Sequence, residues 1–209
     1  MILKGSKLAF LMGALIIPLT ACVGFSRFQT SYDEPVPVQV SKSWRVVAVD
    51  VAVSKKLKVS EDHTFEPKAD IVWREDAIGD RRAQVATIMK AAVAQGATDL
   101  HGARPVRLQV TMHRFHAMTF EAESLNVSGV GVHNVDFTIT VVDARTGEVL
   151  VPPTAIDASF PALTGPDMIR ARLNGQTQKS QITAHVAATI AGWLGVGPDQ
   201  RMGFVRAGV

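Results

Sequence analysis

Six histidines and a single cysteine are the residues of this 209-residue chain best suited to holding a metal or acting as a nucleophile. His113 and His116 form an H-x-x-H pair. On a regular strand, residues three apart point to opposite faces, so the two cannot share a metal unless a bulge re-aims one of them. No H-E-x-x-H motif and no second cysteine completes a zinc set. His185 lies beside the apolar stripe of a predicted helix, where a core histidine with one hydrogen bond is the simpler reading. His63, His101 and His133 sit in polar segments and read as solvated. The segment "SGVGV" (128–132) lacks the Lys-Ser/Thr of a phosphate loop and opens no helix, so a strand bend explains its glycines. There is no G-x-S-x-G elbow, and Asp and Glu are dispersed. The sequence assigns no catalytic, metal or cofactor site, and the chain is read as not an enzyme.

Cys22 is a different case, because of what precedes it. Lys4 and Lys7 make a short basic start, and Leu8 to Leu19 is apolar apart from Gly13 and Pro18. That stretch is well short of the about 20 residues a spanning helix needs. Basic start, short apolar middle and small residues at a cut point describe a secretory signal peptide, residues 1–21. Leu19-Thr20-Ala21-Cys22 resembles the lipobox of bacterial lipoproteins. The resemblance implies that the Cys22 thiol carries diacylglycerol and that the chain is cut just before it. It also implies that the new amino end is acylated, usually with palmitate-like chains. Each buried methylene contributes about 0.8 kcal/mol, so a doubly or triply acylated cysteine holds its domain to a membrane almost permanently. Val23 follows, where Asp would signal retention in the inner membrane. By that analogy the expected location is the outer membrane, facing the periplasm.

Removing residues 1–21 takes away Lys4 and Lys7 and leaves 20 basic against 19 acidic residues, a net charge of +1. So small an excess, without a basic stripe, does not bind nucleic acid by counterion release. With Cys22 acylated the mature chain has no thiol for a disulfide, and its stability must come from packing. About 188 residues suit one domain with a sizeable core.

Residues 23–43 show no sustained period, and "EPVPV" favours extended backbone. Residues 22–43 are therefore read as the lipidated cysteine and a tether, about 25 Å in span if flexible and about 70 Å if stretched. Next, "WRVVAVDVAVS" (44–54) alternates like a strand buried on at least one side. A long polar excursion follows, with a short strand around Ile71 to Trp73. Asp80 as N-cap, Gly96 as stop, and Val85, Ile88, Met89, Ala92 and Val93 at helical spacing predict a helix. Val106, Leu108, Val110 and Met112 alternate with polar residues, and past His113 the phase is lost, as at a bulge. Val135, Phe137, Ile139 and Val141 mark another strand. Gly147 provides φ > 0 for a hairpin into a third, which Pro152-Pro153 confines to an edge. A short helical piece is read at Met168 to Leu173. "GQTQKSQ" (175–181) caps a last helix with Ile182, Val186, Thr189, Ile190 and Trp193 on one face, closed by Gly195. Residues 197–209 read as a loose tail.

The order β-α-β-β-β-α predicts one α+β domain over 44–196, with a mostly antiparallel sheet of about four strands and two helices on one face. In lipobox, length and element order the chain is similar to small bacterial envelope lipoproteins. It also looks like the auxiliary lipoproteins of envelope ABC transport systems and the N-terminal domain of TolB. The resemblance implies a noncatalytic accessory or docking component of an envelope transport or assembly complex. Its partners would be the membrane, through the anchor, and an envelope protein complex, and no cofactor is implied. Two alternatives stand beside this reading. One is a carrier with a lipid or other apolar ligand between sheet and helices. The other is a structural envelope protein. Tryptophans most often fill helix–sheet contacts; Trp73, set in the long excursion, is the candidate for a partner contact.

Overall fold

The alternation at residues 106–112 builds the strand around which everything else is arranged. A computed structural model describes residues 27–206. In chain order these residues form β1 (Arg27–Tyr32), α1 (Val38–Ser41), β2 (Trp44–Val53), β3 (Ile71–Val72), α2 (Arg81–Gly96) and β4 (Arg104–His116). They continue as α3 (Phe120–Glu123), β5 (Gly131–Asp143), β6 (Val149–Ala158), β7 (Phe160–Ala162), α4 (Gly165–Leu173), α5 (Gln178–Trp193) and β8 (Met202–Val205).

The expected sheet of about four strands, mostly antiparallel, is replaced by a mixed sheet of eight strands in the order β2-β4-β5-β6-β1-β8, with β3 added to β4 and β7 to β5. Two causes account for the difference. The crossover through α2 returns the chain parallel to its start, so β2 and β4 pair in parallel from Trp44↔Arg104 to Val53↔Met112. And the two segments read as tether and tail supply strands: β1 pairs antiparallel with β6, and β8 with β1. β4, β5 and β6 form the antiparallel meander that the sequence predicts. The five helices include the three expected pieces and two single-turn helices, α1 and α3.

Burial alternates along β5, and Val135, Phe137, Ile139 and Val141 are essentially inaccessible, as are Val106, Leu108, Val110 and Met112 of β4. This face meets α2 and α5, whose Val85, Met89, Ile182, Val186 and Ile190 complete the core. The opposite face carries exposed Arg107, Gln109, Thr111 and His113 of β4 and is open.

Local chemistry sets the helix boundaries. Asp80 accepts from the backbone N–H groups of Arg82 and Ala83 at 2.9 and 3.2 Å, satisfying two donors that the first turn of α2 leaves free. Thr177 and Ser180 form a capping box on α5, and Gly195 closes that helix at φ +70°. At the far end of α2, Gly96 lies so close to α5 that a Cβ there would sit 2.4 Å from the Ala187 carbonyl oxygen.

The excursion between β2 and α2 is fastened down. The Arg82 guanidinium donates to the carbonyls of Ser54, Lys55 and Leu57. Glu75 accepts from the backbone N–H groups of Gln178 (3.1 Å) and Lys179 (2.6 Å), adding a carboxylate to the positive end of α5. Arg172 bridges Glu75 at 3.0 Å and Glu123 at 2.8 Å, joining α4, α3 and the excursion.

Candidate functional site

The bulge in β4 creates the site. The β4–β5 register shifts between Met112 and Arg114, after which Arg114 stands opposite Asp136 and His116 opposite Asn134. Odd-numbered residues face the open side before the bulge; Arg114 and His116 face it afterwards. His113 is at the bulge and its Nε2 lies 2.7 Å from the Thr138 hydroxyl, so both histidines of the H-x-x-H pair reach the open face. They are still divided: His113 belongs to the middle of that face and His116 to a groove at its end. Among the described residues no three His, Cys, Asp or Glu side chains gather as metal ligands.

The groove has a volume of about 310 Å³, within the size range of small-ligand sites. Its apolar wall is Phe28 of β1, Phe65 of the excursion, Met118, Ala122 and Leu125 around α3, and Val132 at the start of β5. Its polar groups are Arg114, His116, Asn134, Glu66 and Arg206. A shallower depression adjoins it, sharing Glu66, Arg114 and His116 and adding Lys58, Lys68 and Asp70. Arg206 is held by Glu66 at 3.3 and 3.4 Å. Arg114 is exposed and has no ion-pair partner among the described residues. Burial, then the charge of Arg114, hold His116 below the ordinary imidazole value, so it is neutral at physiological pH. The Asn134 Oδ1 atom is buried and unpaired, an acceptor facing a cation-rimmed groove.

A second constellation lies further along the open face. Asp136 and Asp157 stand opposite each other across β5 and β6. Burial, then the neighbouring Asp157 charge and a hydrogen bond with it, push Asp136 up to about 6 against the opposing pull of Arg114. Two carboxyl groups so placed hold a shared proton in mild acid and give it up as pH rises through about 6.

Trp73 is fully buried. Its ring meets Phe115 edge-on at 5.7 Å, and its Nε1 donates to Asp76 at 2.8 Å. The ring thus offers no surface to a partner, because the excursion folds back on the core. Trp44 and Trp193 are buried as expected. Cys22 and the signal segment lie outside the described residues. His185 makes the single hydrogen bond expected of it, to Thr30 at 3.0 Å. His133 is 1% exposed rather than solvated, packed on Phe160 at 5.0 Å, which in turn stacks on His185 at 4.3 Å. Sequence reasoning missed Phe28, Arg114, Asp136 and Arg206. The one available signal was the alternation of Phe28, Thr30 and Tyr32 with polar residues in the supposed tether.

These features define a class: an α+β domain with one helix-covered sheet face and one open face that ends in an amphipathic groove. The chain belongs to the DUF6778 family, a family of unknown function, whose model matches residues 44–208. No curated protein matches it. Among solved structures it is similar to the PelC dodecamer from Paraburkholderia phytofirmans, with 12% identity over 84% of this chain and 97% of that one and a TM-score of 0.35. A point variant of the same dodecamer gives 11% identity, 81% and 98% coverage and a TM-score of 0.37. A candidate lipoprotein from Caulobacter crescentus CB15 gives 13% identity, 76% and 94% coverage and a TM-score of 0.33. Among the described residues no helix is long and apolar enough to cross a membrane.

Proposed function

We propose that the protein is a noncatalytic lipoprotein of the bacterial envelope, anchored through Cys22 and working as an accessory or docking component of a transport or assembly complex. The observation that carries this reading is the Leu19-to-Cys22 motif, which ends five residues before the first strand of the fold. A lipid at that point would hold the domain directly at a bilayer. Val23 in place of Asp favours the outer membrane. The lipobox and chain length that it shares with the auxiliary lipoproteins of envelope ABC transport systems support a place beside a larger envelope machine. The outer edge of β8 offers a template for strand addition. Replacing Cys22 with Ser is expected to free the protein from the membrane fraction or to block its processing. A variant that is processed and stays on the membrane overturns the reading. Crosslinking in cells, followed by identification of the captured subunits, tests the docking role.

The carrier alternative keeps support at one place only. The layer between sheet and helices is filled, with Trp73, Phe115, Met89 and Ile190 at 0% exposure. An apolar ligand would have to lie in the groove on the outer face. Lipid found by mass spectrometry in the purified protein would favour this reading.

A further inference from the structure

The groove lies at the end of the sheet where the anchor segment leaves the fold. Arg27 opens β1 opposite Val205, the next residue, Phe28, lines the groove, and Arg206 follows β8 into it. Only five peptide steps separate Cys22 from Arg27, and no conformation of five residues spans more than about 18 Å. A lipid on Cys22 therefore keeps this end of the domain at the membrane, in place of the long reach that a tether over 22–43 would allow.

The surface at that end has the composition of a membrane interface. Phe65 and Val205 are 61% and 53% exposed, and Leu125 adds a third apolar tip. Lining the groove and the depression beside it are Lys58, Lys68, Arg114 and Arg206 against Glu66 and Asp70, with Asp136 next to Arg114 across the β4–β5 ladder. Apolar tips ringed by an excess of basic side chains match the acyl–headgroup boundary of an anionic bilayer. From the length of the leash and this charge balance we propose that the groove end rests on the bilayer and seats the headgroups of anionic phospholipid, with Arg114 as the principal contact. The proposal rests on the reading of Cys22 as the anchor.

All three native tryptophans are at most 2% exposed, so an introduced one can report on lipid contact. The full protein, extracted with its anchor, is placed in vesicles of phosphatidylglycerol and phosphatidylcholine with brominated acyl chains. Phe65→Trp is expected to lose about half its added emission relative to unbrominated vesicles. Val149→Trp, about 30 Å from the groove at the other end of β5 and β6, is expected to lose none. Adding Arg114→Gln to the Phe65 reporter, or using phosphatidylcholine alone, should reduce the quenching. Equal quenching at both positions, or none at position 65, overturns the proposal. Quenching indifferent to both Arg114 and phosphatidylglycerol overturns the anionic headgroup as the occupant. The mass of the same extracted protein reports separately on Cys22. A bare cysteine ends the anchor reading, while the two reporters still decide the docking.

Discussion

Phe28 and Phe204 stack with ring centroids 5.9 Å apart, joining a strand near the start of the chain to one near its end. Neither strand is long, at six and four residues, and β8 has only β1 as a neighbour. The stack adds a side-chain contact to the four-residue ladder with β1, beside the Arg206–Glu66 pair. Phe204→Ala is expected to cost about 1–2 kcal/mol in urea-induced unfolding. It should also expose residues 201–206 to protease. In the double variant with Phe28→Ala the two losses should overlap by about 1 kcal/mol. Strict additivity would show that β8 is held by its backbone alone.

The Asp136–Asp157 pair costs stability at neutral pH. A carboxyl whose value is raised in the fold stabilises while protonated, and that contribution is lost as pH rises through about 6. Asp136→Asn should accordingly stabilise the protein at pH 7.5 by about 1 kcal/mol, less than the shift alone implies because solvent reaches the pair. Near pH 4 the variant and the parent should unfold alike. Thermal denaturation at the two pH values checks this, and a variant no more stable at pH 7.5 would show that the pair carries no strain.

Acid should act on the buried histidines in the opposite sense. Burial holds His133 at about 3 and His185 at about 4, against 6.5 for a free imidazole. Below pH 6.5 the unfolded chain takes up protons that the fold refuses, so stability is complete above that pH and drains as pH falls toward those values. His133 alone should account for about 2 kcal/mol between pH 6.5 and 5, at about 1.4 kcal/mol per unit. Asp136 offsets part of this loss, so Asp136→Asn should steepen it. A His133→Leu variant whose unfolding free energy has the same pH slope as the parent would contradict the assignment.

Gly96→Ala sets two effects against each other. Alanine favours the helix by about 1 kcal/mol. The added methyl would meet the Ala187 carbonyl oxygen at 2.4 Å and Ile190 Cβ at 2.8 Å, and neither can yield without moving α5. Overpacking of this kind costs about 1–3 kcal/mol or more. The expected net result is a thermal midpoint lower by about 6 °C. A rise would mean that α2 and α5 slide apart freely.

The parts of the fold legible in the sequence are those with sustained period. Asp80, Gly147 and Gly195 announced their turns and caps because each position demands a particular backbone or side-chain acceptor, while 175–181 announced a cap without showing that Thr177 supplies it. The loss of phase after His113 announced the bulge, but not that it would turn Arg114 into the groove. The strands of 27–32 and 202–205 were hidden because they are short, half-exposed and held by long-range partners, so no local pattern had to mark them. His133 misled for a related reason. Its neighbours Val132 and Asn134 line the open face, and its burial comes from Phe160 packed against it, with His185 stacked behind Phe160. The groove draws on five separate stretches of chain, so no single segment could disclose it.

Pro152 and Pro153 stand exposed in the half of β6 that β1 does not reach, opposite the register shift between Ile139 and Val141. Two consecutive residues there have no N–H to offer, and the β5–β6 ladder shifts register beside them. Molecules concentrated on one surface collide often and in similar orientations, conditions that favour zippering into fibrils. The proline pair denies such growth a flat seam on that side of the sheet.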